Sequence, residues 1–164
     1  ATLVPNVFDF DSPPPSIDEY SADVRNAIGL EPDDVMILQP TRVVKRKGIE
    51  HAIDLVENLK DPRCKLLISH KAGDEGLEYA EWIKNYALQH GVDLSLAQKS
   101  ISSQWLHPRH HVNGHSLWNV YAHADFVTFP SLYEGFGNAF LEAIYFKKPM
   151  LINRYAIFVM DIEP

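Results

Sequence analysis

Apolar residues in this chain come in short unbroken runs, separated by stretches in which they recur every third or fourth position. Val35-Met36-Ile37-Leu38-Gln39, closed by Pro40, is one such run. Others are Lys65-Leu66-Leu67-Ile68-Ser69, the weaker Asp93 to Gln98, Phe126-Val127-Thr128-Phe129, and Pro149 to Asn153. A strand with one wet face alternates, whereas an unbroken run marks a strand covered on both faces. From Gly48 to Lys60 the pattern is helical. Ile49, Ile53, Val56 and Leu59 share one face, with Glu50, Asp54, Glu57 and Lys60 mostly opposite. Glu75 to His90 is a longer amphipathic helix stopped by Gly91, and His115 to Ala122 and Asn138 to Phe146 complete the series. A short helix from Ile17 or Asp18 to Ile28, ended by Gly29, precedes the first strand. Strand alternating with helix predicts an α/β fold, a Rossmann-like parallel sheet with helices on both faces.

Residues 1–34 are expected to be a connection with its lead-in helix, because Asp11-Ser12-Pro13-Pro14-Pro15-Ser16 cannot pair in a central strand. Residues 35–164 are then the domain itself. Its abrupt start, and its stop just after the apolar Ala156 to Met160, predict a piece of a longer protein. With 164 residues and 46% apolar content the chain can bury a core, which excludes disorder as its main state. No apolar run approaches the ~18 residues that cross a bilayer. Ala1 to Pro5 lacks a basic region followed by an apolar stretch, so no signal peptide is expected. A net charge of −7 argues against bulk nucleic-acid binding, but not against a small anion held by two or three local cations. The lone cysteine, Cys64, cannot form an internal disulfide; it is expected to be buried, in a reducing compartment.

Ligands of open parallel sheets bind at the carboxyl ends of the strands, where strand order reverses. Two such ends carry distinctive residues. Thr41-Arg42-Val43-Val44-Lys45-Arg46-Lys47-Gly48 places four cations within six residues, just before a helix N-terminus. Free N–H groups, a guanidinium fork and an ammonium together suit a diphosphate. By itself the segment reads equally as a solvated basic turn. No Walker-type loop and no G-x-G-x-x-G follows this strand. The second end is Pro130-Ser131-Leu132-Tyr133-Glu134-Gly135-Phe136-Gly137-Asn138, leading into Ala139-Phe140-Leu141-Glu142. Gly135 and Gly137 let a ligand approach the main chain, and Asn138 is a cap candidate. Glu142, four residues beyond Asn138, shares its helix face, and Glu134 lies in the loop. Two carboxylates would then look into one crevice, ready to accept hydrogen bonds from sugar hydroxyls.

Glu134-Gly-Phe-Gly-Asn-Ala-Phe-Leu-Glu142 resembles the E-x7-E motif of retaining glycosyltransferases of GT-B architecture, most closely glycosyltransferase family 4. Arg42-x4-Lys47-Gly48 is similar to that family's R-x4-K-G segment, Val4-Pro5-Asn6-Val7-Phe8-Asp9 to its interdomain linker, and Ala124 to Ser131 to its A-D-V-x-V-x-P-S strand. The four segments stand in the family's order. The resemblance implies the donor-binding half of a GT-B enzyme, which moves a glycosyl group from a nucleotide-diphosphate sugar to an acceptor hydroxyl with retention. Arg42 and Lys47 would bind the diphosphate and stabilise its charge, so that no metal or other cofactor is required. Glu142 would bond the ribose, and Glu134 would sit at the donor sugar as a catalytic carboxylate beside Arg42 and Lys47. Gly135, Phe136, Gly137 and Asn138 would offer main-chain donors. The acceptor would be held by an N-terminal domain outside this segment, so the segment alone would be inactive. The full-length enzyme would be cytoplasmic, at most peripheral at a membrane. Because Arg42 and Lys47 lie off any apolar stripe, replacing them is expected to spare the fold.

Departures from the family pattern are Thr41 for a glycine, Val7 in the linker, no G-x-G in Ser69 to Asp74, and the stretch Ser102 to Gly114. Asn153-Arg154-Tyr155 replaces a glycine-rich acceptor-side segment. His107, His111 and His115 are spaced by four, but Pro108 and Gly114 interrupt a helix, so neutral loop histidines are favoured over a zinc site. Trp118, Tyr121 and Phe126 are expected in the core. The competing readings are a related GT-B epimerase or phosphorylase, and a non-catalytic flavodoxin-like binding module. The module has no need of Arg42, Lys47, Glu134 and Glu142 at converging strand ends.

Overall fold

The structure, a computed structural model, describes residues 8–19, 21–70, 77–96 and 116–163. Five unbroken apolar runs form five parallel strands: β1 (Val35–Gln39), β2 (Cys64–Ile68), β3 (Leu94–Leu96), β4 (Phe126–Phe129) and β5 (Met150–Ile152). Their order is β3-β2-β1-β4-β5. The chain winds outward from β1 in one direction, then crosses back to β1's other edge at β4. That reversal opens a crevice between β1 and β4, where ligands of such sheets bind.

Successive residues of β1 point to opposite faces, and each face has its own core. Ile37 joins Leu66 and Ile68 beneath α2 (Ile49–Leu59) and α3 (Leu77–Gln89). Met36 and Leu38 join Leu67 and Val127 beneath α1 (Val24–Ala27), α4 (Leu117–His123) and α5 (Asn138–Tyr145). Helices on both faces were expected. Cys64 is buried and unpaired, also as expected.

The strands and main helices lie within about two residues of the expected bounds, and the exceptions have local causes. The lead-in helix shrinks to the four residues of α1. Asp18 and Ser21 bond one another's main-chain N–H groups at 2.8 and 2.9 Å, a side-chain turn that competes with helix. The helix α4 begins at Leu117, after Ser116, which caps it in a capping box with Asn119. The helix α5 starts at Asn138 but is capped by Gly137 at φ 93°, so Asn138 is its first residue and not its cap. Leu59 was expected on the buried face of α2, yet it is half exposed because the helix ends there in left-handed Lys60. The segments around Val4 and His107 to His115 lie outside the described residues.

Gly48 starts α2 at φ 60°, and a β-carbon there would stand 2.5 Å from the Pro130 carbonyl oxygen. The helix thus enters pressed against the loop after β4. Gly91, at φ 64°, has open space around it. Gly91→Ala should therefore cost about 1–2 kcal/mol from backbone strain alone. Gly48→Ala should cost clearly more, because backbone must also move. Urea unfolding of the two variants beside the wild type measures the difference.

Candidate active site

The strand ends β1, β2 and β4 and the start of α5 enclose a cavity of about 470 Å³. Arg42, Lys47, Glu134, Gly135, Phe136, Gly137, Asn138 and Glu142 all line it. Two sequence segments nearly ninety residues apart therefore meet in one place. Arg46, His70 and Trp118 line it as well; none of them was expected in the site, and Trp118 was expected in the core. Arg46 was visible only as one of four adjacent cations. His70 and Trp118 lie in a turn and a helix whose facing depends on tertiary packing.

Gln39, the last residue of β1, is fully buried and organises the basic segment. Its amide donates to the Lys47 carbonyl at 3.1 Å and to Thr41 Oγ1 at 3.3 Å, and its oxygen accepts from Thr128 Oγ1 at 3.3 Å. A buried amide must be paired, and here the pairing holds the chain bearing Lys47 against β4. Tyr155, also buried, donates to the Phe136 carbonyl at 2.8 Å and fixes the glycine loop from behind.

The Lys47 ammonium bonds Glu134 Oε1, which also accepts from Arg46 at 3.2 Å. Lys47 is buried, contrary to the expectation that replacing it would spare the fold. Removing it leaves a half-buried carboxylate with one cation fewer, at a cost in stability. Burial pulls the Lys47 ammonium below the usual lysine range, against the pull of Glu134. Burial would raise the Glu134 carboxyl, but Lys47 and Arg46 outweigh it and hold that carboxyl low. Arg42 is exposed at the rim and bonds no other described side chain, so its guanidinium remains available to an anion. The N-terminus of α2 is less open than expected. The Ile49 N–H donates to the Tyr79 hydroxyl at 3.2 Å and the His51 N–H to the Gly48 carbonyl at 3.0 Å.

Glu142 lies one turn into α5, beside the buried Tyr121 hydroxyl and away from the cations. Burial pushes its carboxyl up to about 7, with Tyr121 pulling weakly the other way. The two carboxylates of one cavity thus differ in charge near neutrality, Glu134 being ionised and Glu142 half protonated. Tyr121 and Phe126 pack in the core as expected. Trp118 does so only in part, since it also lines the cavity, and its buried indole N–H finds no partner among the described residues. Among the described residues no cluster of three His, Cys, Asp or Glu could hold a metal.

The family model described as "Glycosyl transferases group 1" matches residues 21–162. This chain belongs to the group 1 glycosyl transferases. The mannosylglucosylglycerate synthase of Petrotoga mobilis is 38% identical over 99% of this chain, which covers 41% of that protein. The chain therefore spans well under half of that curated relative. Anabaena HepE, solved in complex with UDP and glucose, superposes at TM-score 0.69 with 17% identity, over 92% of this chain and 37% of HepE. The C-terminal domain of LpcC, a group 1 family protein of Francisella tularensis, superposes at 0.62 with 16% identity, over 94% of this chain and 85% of that domain. The fold of this group 1 domain is that of the GT-B glycosyltransferases.

The position of Glu142 has a consequence for stability. Its carboxyl titrates near 7 when folded and near 4.5 when unfolded, so the folded state holds the extra proton between those values. That contribution to stability is complete below 4.5 and is lost as pH rises toward 7. Glu142→Gln should gain on the wild type across that window, by at most ~3 kcal/mol at pH 8. Urea unfolding of both proteins at pH 4.5, 6 and 8 measures the gap.

Proposed function

We propose that the chain is the donor-binding half of a retaining hexosyltransferase of the family 4 type. It would hold a nucleotide-diphosphate sugar while the glycosyl group passes to an acceptor hydroxyl. The observation that carries this reading is the convergence of Arg42, Arg46 and Lys47 with Glu134, Glu142 and the glycine loop on one cavity at the switch point. Retention and the family 4 assignment rest on the E-x7-E pattern of Glu134 and Glu142. HepE was captured with UDP and glucose, and the Petrotoga relative is named a mannosylglucosylglycerate synthase. The first supports a nucleotide sugar as donor, and both support a hexose as the group moved.

In this reading Arg42 and Lys47 grip the diphosphate and stabilise the charge that builds on it as the sugar–phosphate bond breaks, without a metal. The diphosphate competes with Glu134 for Lys47 and Arg46, and the released Glu134 faces the donor sugar. Glu142 accepts from the ribose hydroxyls, and the main chain at Gly135 to Asn138 donates to sugar or phosphate oxygens. An N-terminal domain would complete the crevice and hold the acceptor, and its closure would exclude water. The match of this chain to most of the LpcC C-terminal domain supports that division. A cytoplasmic enzyme fits the lone thiol, and no helix among the described residues is long and apolar enough to cross a membrane.

Arg42→Ala should weaken nucleoside-diphosphate binding by ~1.5–3 kcal/mol, about ten- to a hundredfold, with unfolding unchanged. Lys47→Met should weaken it as much while also lowering stability. Calorimetric titration with UDP, GDP and ADP tests both, and unchanged affinity for whichever binds would refute the phosphate assignment.

Glu142→Gln and Glu134→Gln should differ in kind in the full-length enzyme. Loss of the ribose contact should raise the donor KM more than it lowers kcat. Loss of the carboxylate at the transferring sugar should lower kcat, because positive charge develops there in the transition state. Steady-state kinetics decides it, and equal effects on bare-nucleotide affinity would overturn the division.

A further inference from the structure

Among the described residues, the turn after β2 contributes one side chain to the cavity, His70. Ser69, immediately before it, is buried, and its main-chain N–H reaches the Gln39 carbonyl at 3.4 Å, which ties the turn to β1. Ser69 Oγ lies 2.8 Å from Nδ1 of His70. That contact occupies one ring nitrogen, and Nε2 bonds no described residue. Among the described residues, the charged groups that act on the ring are Arg42 and Lys47, both from the segment between β1 and α2. Arg46, Glu134 and Glu142 line the same cavity.

An imidazole beside two cations cannot easily carry a third positive charge. A bound anion reverses that balance, since it offsets the cations and its oxygens accept from Nε2–H. Ser69 suits both states. A hydroxyl can donate to Nδ1 of a neutral ring, or rotate and accept from Nδ1–H of a charged one. A carboxylate in its place would hold the ring charged, and a main-chain N–H would hold it neutral.

We propose that His70 is a ligand for the phosphate-bearing part of the donor, neutral in the empty cavity and protonated against the bound anion. This inference rests on the nucleotide-sugar reading given above. It assigns the β2 side of the cavity a role in donor recognition beside Arg42 and Lys47. Burial, then Arg42 and Lys47, hold the ring's pKa below the ordinary histidine value in the empty site, as the inference requires.

The consequence is a donor affinity that rises as pH falls. Between the free and bound pKa values of one such group the gain is at most tenfold per pH unit. UDP-glucose and GDP-mannose serve as probes, because neither has a group that titrates between about pH 5 and 8, the range of histidine. Calorimetry of the full-length protein at pH 6, 7 and 8, in buffers of different ionisation enthalpy, reads affinity and proton uptake together. Glu142 also titrates near 7, so the quantity of interest is the difference between wild type and His70→Gln. Glutamine keeps a neutral donor near the Nε2 position and should bind almost as well as wild type at pH 8. It should fall several-fold behind at pH 6 and lose most of the proton uptake. Should His70→Gln fold poorly, the ¹⁵N shifts of His70 in the wild type answer the same question, moving to imidazolium values when the probe saturates the site.

Equal pH slopes and equal proton uptake in the two proteins, or an unmoved ring signal on saturation, would overturn the role of His70. The donor reading would survive that result if Arg42→Ala still weakens binding about ten- to a hundredfold. Failure of the wild type to bind either nucleotide sugar would overturn the donor reading, and the inference with it.

Discussion

The contact of the Lys47 ammonium with the Glu134 carboxylate governs how this site is built. The loops that follow β1 and β4 diverge at the switch point, and side chains from both must fill the crevice. One loop is basic and the other supplies the counter-charge. Burying an ammonium without a partner would cost several kcal/mol, and the carboxylate from across the crevice offsets that cost. The contact therefore ties the two loops together across the crevice. In the donor reading, the same attraction is what a diphosphate must replace.

Around that pair stands a frame of buried polar contacts, each joining two parts of the chain. Gln39 holds the Lys47 carbonyl and touches Thr128 of β4. Gly48 brings α2 against the Pro130 carbonyl so closely that no side chain fits between them. Tyr155 holds the glycine loop by the Phe136 carbonyl. None of these residues needs to touch a ligand to matter. They fix the loops on strand and helix, and such support keeps charged side chains in place when a ligand competes for them.

Two carboxylates in one cavity take opposite protonation tendencies from their surroundings. Glu134 is held ionised by two cations, whereas Glu142 sits against Tyr121 with burial dominating, and its carboxyl titrates near 7. Such a divided pair can accept hydrogen bonds at one end and either accept or donate at the other.

The alternation of apolar runs with helical periodicities determined the layered parallel sheet, because a strand covered on both faces cannot alternate. Local spacing also determined which residues shared a turn of helix, so Glu142 and Asn138 were readable as neighbours. The spacing of Arg42, Lys47, Glu134 and Glu142 was readable as two basic or acidic loops at strand ends. What local pattern could not carry was the meeting of those loops, since the crossover from β3 to β4 decides which strand lies beside β1. Burial of Lys47, its pairing with Glu134 and the bonding of Gln39 all follow from that adjacency. So does the facing of His70 and Trp118 into the cavity. The cap of α5 falls on Gly137 and not on Asn138 because the backbone there takes φ 93°, a conformation that favours glycine, tight against the Phe129 ring and the Tyr155 hydroxyl. The lead-in helix was overextended because Asp18 and Ser21 satisfy each other's main-chain N–H groups. Sequence alone determined what each segment is, through its own hydrogen bonds and its own periodicity. Tertiary structure decided which charges share a cavity, because electrostatic and packing energies depend on distances between segments that no local pattern specifies.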